Sequence, residues 1–272
     1  MHSDYLTTAL INEVETIARD AGAAIMDIYG RDFSIEQKAD QSPLTEADAA
    51  AHRLIDARLK QLELSLPVLS EEDTEQFGGA DSQGRYWLVD PLDGTKEFIK
   101  RNGEFTVNIA LIEQGKPVLG VVYAPALSLC YTAARGVGAS KTDADGNTSS
   151  ITVATHEPGT PWRVVGSRSH AGEAMPRLLE QLGEHELVAM GSSLKLCLVA
   201  EGAADVYPRL GPTSLWDTAA AHCVAEQAGG RVIRLDGQPL DYGNPQQLLN
   251  PYFLVLGNSD QDWPALLYRS EG

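Results

Sequence analysis

The chain has 272 residues, of which 43% are hydrophobic and 22% are charged, and its formal net charge is −17. These proportions are ordinary for a globular protein with a substantial core, built as one large domain or two small ones. The acidic excess argues against binding to polymeric nucleic acid or to an anionic membrane surface, because both reward an excess of Lys and Arg.

The cysteines Cys130, Cys197 and Cys223 are odd in number and far apart, so they predict neither a metal-binding spacing nor a disulfide framework. They are typical of small core residues in a reducing compartment. The sequence shows no secretory signal and no apolar stretch of bilayer-spanning length. We expect a cytoplasmic protein and leave open a peripheral association with the inner membrane.

Two helices are predicted near the start of the chain. From residue 7 to about residue 29, apolar residues recur at helical spacing, and Gly30 is a suitable stop. Thr45 can cap a second helix, with Asp48 in a capping-box position. The predicted apolar face of that helix comprises Ala50, Leu54, Ile55, Ala57 and Leu62.

Two carboxylates lie at the edges of these early elements. Asp40 lies in the loop before the Thr45 cap, and capping does not explain it. Residues 66–70 are short, apolar and β-like, and Glu71 follows them directly. Acids after a strand are commonly solvated turn residues. If this strand pairs with the next one, however, Glu71 arrives beside Asp90 as an oxygen ligand.

The most informative stretch is residues 90–95, Asp-Pro-Leu-Asp-Gly-Thr. The apolar run 86–89 reads as a buried strand, and Pro91 predicts its end because proline has no N–H to donate. Gly94 permits a tight turn, and Thr95 lies near the cap of a short helix. The pattern therefore directs two carboxylates, Asp90 and Asp93, to one point.

Two such carboxylates repel each other unless a cation lies between them. Because the donors are oxygen atoms, with no Cys or His nearby, the cation should be hard, and Mg²⁺ fits best. A helix start beside a metal suits a phosphate. The alternative interpretation is a surface turn in which Asp serves as turn former and cap.

The middle of the chain predicts an antiparallel sheet. Residues 106–112, 117–123 and 129–133 are β-rich, and residues 113–116 give a hairpin signal. Residues 136–139 and 143–147 are rich in turn formers. The second of these stretches lacks the terminal Glu of an EF-hand, so we interpret it as a turn.

Beyond about residue 155, strands and helices alternate, which predicts an α/β half. The expected division is an N-terminal α+β subdomain, 1–154, that carries the metal motif, and a C-terminal α/β subdomain, 155–272. The predicted strands are 163–166, 187–190, 205–207, 232–235 and 253–256. The predicted helices follow Gly172 and cover about 193–201 and 216–228.

Several polar residues of this second half fall at the edges of predicted elements: His170, Ser192, Lys195, Arg209 and Asp217. Residues 191–195 join a strand to a helix, which suits anion binding. Asp217 lies in the first turn of its helix, where a negative charge is favourable. Capping alone can explain Asp217 and the neighbouring Ser193, and a lone His is more often structural.

In combination, Glu71-Glu72, the 90–95 motif and the run Trp-Asp-Thr-Ala-Ala at 216–220 resemble the inositol monophosphatase superfamily of lithium-sensitive, Mg²⁺-dependent phosphatases. Within that superfamily, residues 38–48, 167–170 and 191–209 resemble the 3′(2′),5′-bisphosphate nucleotidases of the CysQ type. The resemblance implies a layered αβαβα sandwich with the site between its two halves.

The resemblance also implies site roles. Two or three Mg²⁺ ions are expected on Glu71, Asp90, the Leu92 carbonyl, Asp93 and Asp217. Thr95 and Asp40 are placed near the attacking water. The expected substrate-binding residues are Gly94, Thr95, His170, Ser192, Lys195, Arg209 and Asp217.

The implied reaction is hydrolysis of adenosine 3′,5′-bisphosphate (PAP) to AMP and phosphate, in a hydrolase that clears a by-product of sulfur metabolism. The expected partner is a small phosphorylated nucleotide, and the chain is expected to be a monomer or a homodimer. One alternative is an inositol- or sugar-phosphate monophosphatase with the same metal centre. Another is a non-catalytic protein that binds metal or nucleotide.

Overall fold

Residues 5–37, 43–166 and 174–268 are described in a computed structural model. Helix α1 (Thr8–Tyr29) is capped by the Thr7 side chain and ends at Gly30, as predicted. Strands β1 (Ile35–Gln37) and β2 (Pro43–Thr45) pair antiparallel and lead into helix α2 (Glu46–Leu59).

The start of α2 confirms one prediction, and its buried face corrects another. Thr45 and Asp48 form the predicted capping box. The apolar residues that α2 buries follow a strict four-residue spacing: Ala47, Ala51, Ile55 and Leu59. Ala57, predicted for that face, is exposed because it lies two positions from Ile55 and Leu59, on the other side of the helix.

A seven-stranded sheet follows along the chain. Its strands, in spatial order, are β3 (Val68–Ser70), β4 (Arg85–Asp93), β5 (Thr106–Glu113), β6 (Lys116–Ala124), β7 (Leu129–Ala134), β8 (Gly138–Thr142) and β9 (Thr148–Ser150). The pairing is antiparallel except between β3 and β4. The predicted hairpin is confirmed, and its turn lies at Gln114 and Gly115, which have φ of 50° and 78°. Gly138 and Ala139, predicted as turn residues, open β8 instead.

Strand β4 does not stop at Pro91 as predicted. Asp90 pairs with Asn108 and Asp93 pairs with Thr106, so Pro91 and Leu92 together oppose the single residue Val107. Because a bulge leaves a residue outside the ladder, it tolerates the missing N–H of proline. The bulge turns the end of the strand without ending it.

The start of the short helix after β4 lies one residue earlier than predicted. Gly94, at φ 91°, occupies the cap position of helix α3 (Thr95–Ile99), so Thr95 is the first helical residue and not the cap. A left-handed conformation of this kind is readily adopted by Gly. The tight turn predicted at Gly94 is confirmed.

The second half contains the predicted alternation of helices and strands. In chain order it comprises β10 (Trp162–Gly166), α4 (Ala174–Leu182), β11 (His185–Ala189), α5 (Leu194–Ala200), β12 (Val206–Arg209), α6 (Leu215–Gln227), β13 (Arg231–Arg234), β14 (Phe253–Leu256) and α7 (Trp263–Tyr268). The five strands form one mixed sheet in the order β11-β10-β12-β14-β13.

The helices form layers around the two large sheets. Helices α1 and α2 cover one face of the seven-stranded sheet, α5 and α6 lie between the sheets, and α4 and α7 pack together beyond the five-stranded sheet. The predicted αβαβα sandwich is confirmed. The proposed division at residue 154 falls between β9 and β10, and both sides contribute to the hydrophobic cluster around α6.

Helix α6 lies unusually close to the sheet beneath it. A Cβ atom placed on Gly120 of β6 would lie 2.2 Å from the backbone oxygen of Ala220. Glycine therefore lets the helix backbone rest on the strand without an intervening side chain. Among the described residues, no helix has both the length and the apolar character needed to cross a bilayer.

Candidate metal centre

Three carboxylates from separate parts of the chain meet at one end of the seven-stranded sheet. Glu71, Asp90 and Asp217 each offer an oxygen atom, and these atoms all lie within 4.8 Å of one another. The parallel pairing of Ser70 with Val89 brings Glu71 beside Asp90, and the Glu71 N–H donates to the Val89 carbonyl at 3.1 Å. This is the arrangement predicted for the case in which the two strands pair.

Asp217 reaches the cluster from the first turn of α6. Its Oδ2 accepts from the Ser214 N–H at 2.8 Å and from the Thr213 hydroxyl at 2.7 Å. Ser214 and Asp217 thereby form a capping box. Asp217 can cap the helix and also bind a cation, because the cap hydrogen bonds occupy its Oδ2 and leave its Oδ1 for the cation.

Asp93 lies on the neighbouring side of Asp217. Its Oδ2 accepts from the Ser193 N–H at 2.6 Å, and the Ser193 Oγ lies 2.7 Å from the same oxygen. Asp93 and Asp217 line a cavity of about 60 Å³. Asp90, the other acid of the motif, has its Oδ1 3.0 Å from the N–H of Leu92, which tightens the bulge.

The crowding of these acids is visible in their electrostatics. Burial, followed by repulsion from Asp93 and then from Glu71, raises the pKa of Asp217 to about 7, although its hydrogen bonds from Thr213 and Ser214 act to lower it. A divalent cation would relieve this repulsion. Because the donors are carboxylate oxygens, the residues fit Mg²⁺.

Stability should consequently depend on Mg²⁺ and pH together. Since the pKa of Asp217 is raised in the folded state, the metal-free protein should lose stability as pH rises from about 4 to about 7. Below about pH 7, protons compete with the cation for Asp217, so Mg²⁺ affinity should be roughly thirtyfold weaker at pH 5.5 than above pH 8. Thermal unfolding should show a larger Mg²⁺-induced rise in Tm at pH 8 than at pH 5.5.

The control for this pH dependence is Asp217→Asn, which cannot titrate. In that variant the Mg²⁺-induced rise in Tm should be small at both pH values. An equal rise at pH 5.5 and pH 8 in the unsubstituted protein would contradict the assignment.

The Thr95 hydroxyl contacts Asp48 and the backbone of the 90–95 motif. Its Oγ1 is 3.3 Å from Asp48 Oδ1 and 3.4 Å from the Leu92 carbonyl. Asp48 is buried, and its other oxygen accepts from Thr45 at the start of α2. The structure thus brings the second oxygen of Asp48 to the Thr95 hydroxyl. Asp40 itself lies outside the described residues.

The predicted substrate-binding residues of the second half share the cavity of Asp93 and Asp217. Ser192, Lys195 and Arg209 line it together with Tyr207. Among the described residues, the buried Ser192 hydroxyl and the buried Arg209 Nε have no hydrogen-bond partner. Donors of this kind suit an anionic ligand. Predicted residue His170 lies outside the described residues.

Sequence reasoning missed the contacts that Asp48 makes with Thr95 and that Ser193 makes with Asp93. Both were assigned to helix capping, and for Asp48 that assignment is correct but incomplete. Ser193 occupies the cap position of α5, but its side chain makes no cap hydrogen bond. Nothing in the local sequence signals these contacts, because Asp48–Thr95 and Ser193–Asp93 join residues 47 and 100 positions apart.

Comparison with known proteins identifies the family of the chain. A family model described as the inositol monophosphatase family matches residues 7–260. The 3′(2′),5′-bisphosphate nucleotidases CysQ of Salmonella typhimurium and Escherichia coli K12 are 53% and 52% identical over 248 residues, which cover 90% of this chain and 99% of each relative. The crystal structure of CysQ from Bacteroides thetaiotaomicron, 40% identical, matches with a TM-score of 0.80 over 93% of this chain and 98% of that chain. The chain belongs to the inositol monophosphatase family.

Proposed function

We propose that this protein is a Mg²⁺-dependent 3′(2′),5′-bisphosphate nucleotidase that hydrolyses PAP to AMP and phosphate. The observation that carries the proposal is the shared cavity, in which Asp93 and Asp217 lie with Lys195 and Arg209. A cavity with acids on one side and cations on the other suits a metal-assisted reaction on a substrate with two phosphates. The CysQ relatives bear the name of this activity.

The metal side of the cavity is formed by the carboxylates. Glu71, Asp90, Asp93 and Asp217, with the Leu92 carbonyl, would hold two or three Mg²⁺ ions. When bound, the ions supply positive charge for the phosphate oxygens and acidify the attacking water. The protein holds their ligands in place through the β4 bulge and the capping box of α6.

We assign the orientation of the attacking water to Thr95 and Asp48. A water that donates to the Thr95 hydroxyl can pass its proton toward the buried Asp48 carboxylate, because the two groups lie 3.3 Å apart. Attack on phosphorus is in line, with little covalent work for the protein. The earlier assignment to Asp40 remains a prediction about a residue outside the described ranges.

The second phosphate determines the choice of substrate. Ser192, Lys195 and Arg209 would bind the 5′-phosphate and so orient the 3′-phosphate toward the carboxylates. Gly94 and the hydroxyl of Thr95 are proposed to contact the scissile phosphate, and His170 the nucleoside. Asp217 is proposed to assist protonation of the leaving ribose oxygen through water.

Lys195→Ala tests the proposed role of Lys195 in binding the 5′-phosphate. Loss of the ammonium group should raise KM for PAP by about ten- to a hundredfold, because charge-assisted hydrogen bonds contribute roughly 1.5–3 kcal/mol each. KM for a nucleoside 3′-monophosphate, which lacks the 5′-phosphate, should change little. Steady-state kinetics on both substrates provide the measurement. Equal increases would remove Lys195 from 5′-phosphate recognition.

The activity itself is tested by phosphate release from a panel of substrates: PAP, a 3′-monophosphate, inositol 1-phosphate and a sugar phosphate. The proposal predicts the highest kcat/KM for PAP with Mg²⁺ present and no release with a chelator. Preference for inositol 1-phosphate would favour the monophosphatase alternative. Release that persists with the chelator would contradict the metal centre.

Three finer expectations accompany this activity. A bisphosphate nucleotidase of this kind would work in the cytoplasm and clear a by-product of sulfate activation. Its activity would be inhibited by lithium, which can be measured in the same phosphate-release assay.

A further inference from the structure

Ser193 lies where the loop before α5 meets two of the acids. Its N–H donates to Asp93 Oδ2 at 2.6 Å, and its Oγ lies 2.7 Å from the same oxygen. The same Oγ is in contact with the backbone carbonyl of Asp217. One small side chain therefore touches residues that come from β4 and from α6.

Asn108 orients the Ser193 hydroxyl. The Asn108 Nδ2 donates to Ser193 Oγ at 2.7 Å and lies 3.4 Å from Asp93 Oδ2. Because the amide occupies a lone pair of Oγ, the hydroxyl proton is directed toward Asp93 or Asp217. Asn108 is 1% exposed and Ser193 is 2% exposed, so water does not compete for these contacts.

The loop that carries Ser193 has little freedom to move. The N–H of the preceding Gly191 donates to Glu104 Oε2 at 2.7 Å. A Cβ atom on Gly191 would lie 2.9 Å from atoms of Glu97 and Glu104, so only glycine allows this close approach. The loop is therefore held against the segment that follows the metal motif.

Building on the proposed function, we propose that Ser193 is a positioning residue of the metal centre. It engages Oδ2 of Asp93, so that Asp93 presents Oδ1 to the cation, and it sets the spacing between Asp93 and Asp217. The adjacent Ser192 has a different task, because its hydroxyl faces the cavity and has no hydrogen-bond partner within residues 5–37, 43–166 and 174–268. Two neighbouring serines thus serve the metal and the substrate anion separately.

The pair Ser193→Ala and Ser192→Ala provides a matched test, since each removes one hydroxyl from the same loop. Mg²⁺ is titrated into each metal-free protein by calorimetry, without substrate. Ser193→Ala should bind Mg²⁺ at least about tenfold more weakly, as is typical when a partner of a metal ligand is lost. Ser192→Ala should bind Mg²⁺ with unchanged affinity.

Kinetics give the second readout. Ser193→Ala should need a higher Mg²⁺ concentration for half-maximal activity and should recover kcat as Mg²⁺ is raised, whereas a general loss of structure would not be rescued. Ser192→Ala should raise KM for PAP at saturating Mg²⁺. If Ser193→Ala unfolds, Ser193→Gly serves instead, because glycine also lacks the hydroxyl and is tolerated at a helix cap.

The outcomes separate this inference from the proposed function. If the unsubstituted protein binds Mg²⁺ and Ser193→Ala binds it equally well, the positioning role is wrong. If the unsubstituted protein binds no Mg²⁺, the metal centre itself is wrong. If both serine variants weaken Mg²⁺ binding alike, the proposed division between them is wrong.

Discussion

Asp90→Asn should lower kcat/KM for PAP by at least about a thousandfold, which corresponds to roughly 4 kcal/mol of transition-state stabilisation. Asp90 is 1% exposed and belongs to the cluster with Glu71 and Asp217. The amide oxygen of Asn can still accept from the Leu92 N–H in the β4 bulge, but the charge that would hold the cation is lost. The loss should therefore appear in activity and in Mg²⁺ binding, without loss of the fold.

Asp260→Asn is the control for this substitution. Asp260 is an exposed carboxylate near the end of the chain, and the same change of charge there should leave kcat/KM within about twofold. Circular dichroism and thermal unfolding without Mg²⁺ compare the folds of the two variants. Near-normal turnover by Asp90→Asn would refute the metal centre.

Asp48→Asn should lower kcat by about a hundred- to ten-thousandfold, the range found when a general base is lost. The amide oxygen of Asn can still accept from Thr45, so the cap of α2 is retained. The amide nitrogen then faces Thr95, where it donates a hydrogen bond and cannot accept a proton. The change thus separates the chemical role of Asp48 from its structural one.

Thr45→Ala is the complementary control. It removes the side-chain cap but leaves the Asp48 carboxylate, so it should destabilise the protein by about 1 kcal/mol with kcat almost unchanged. Chemical denaturation and steady-state kinetics measure the two effects. Full activity in Asp48→Asn would return the role in water activation to Asp40.

The sequence was most informative where a site residue follows from the end of an element. Glu71 could be placed beside Asp90 because both end short apolar runs, and Asp217 because it opens a helix. The position of a residue at the end of a strand or helix can be predicted from the local sequence pattern alone. The same reasoning predicted nearly all strands and helices of the second half.

The features that could not be predicted depend on tertiary packing. The second oxygen of Asp48 meets Thr95 only because α2 packs beside the end of β4, and a capping box looks the same wherever its helix lies. The sequence around Ser193 likewise predicts only a helix cap, and the contact with Asp93 depends on the packing of the α5 loop against β4. The bulge at Pro91 arises from the register with β5, which proline in a single strand does not reveal.

The contact of α6 with β6 has a consequence for how the enzyme starts each turnover. Gly120 of β6 meets the backbone of Ala220, so α6 is held against the strand about one turn beyond Asp217. The carboxylates of the cluster are thus preorganised, and the free energy of folding offsets their mutual repulsion. A cation that enters the proposed metal centre would meet carboxylates that the fold already holds together.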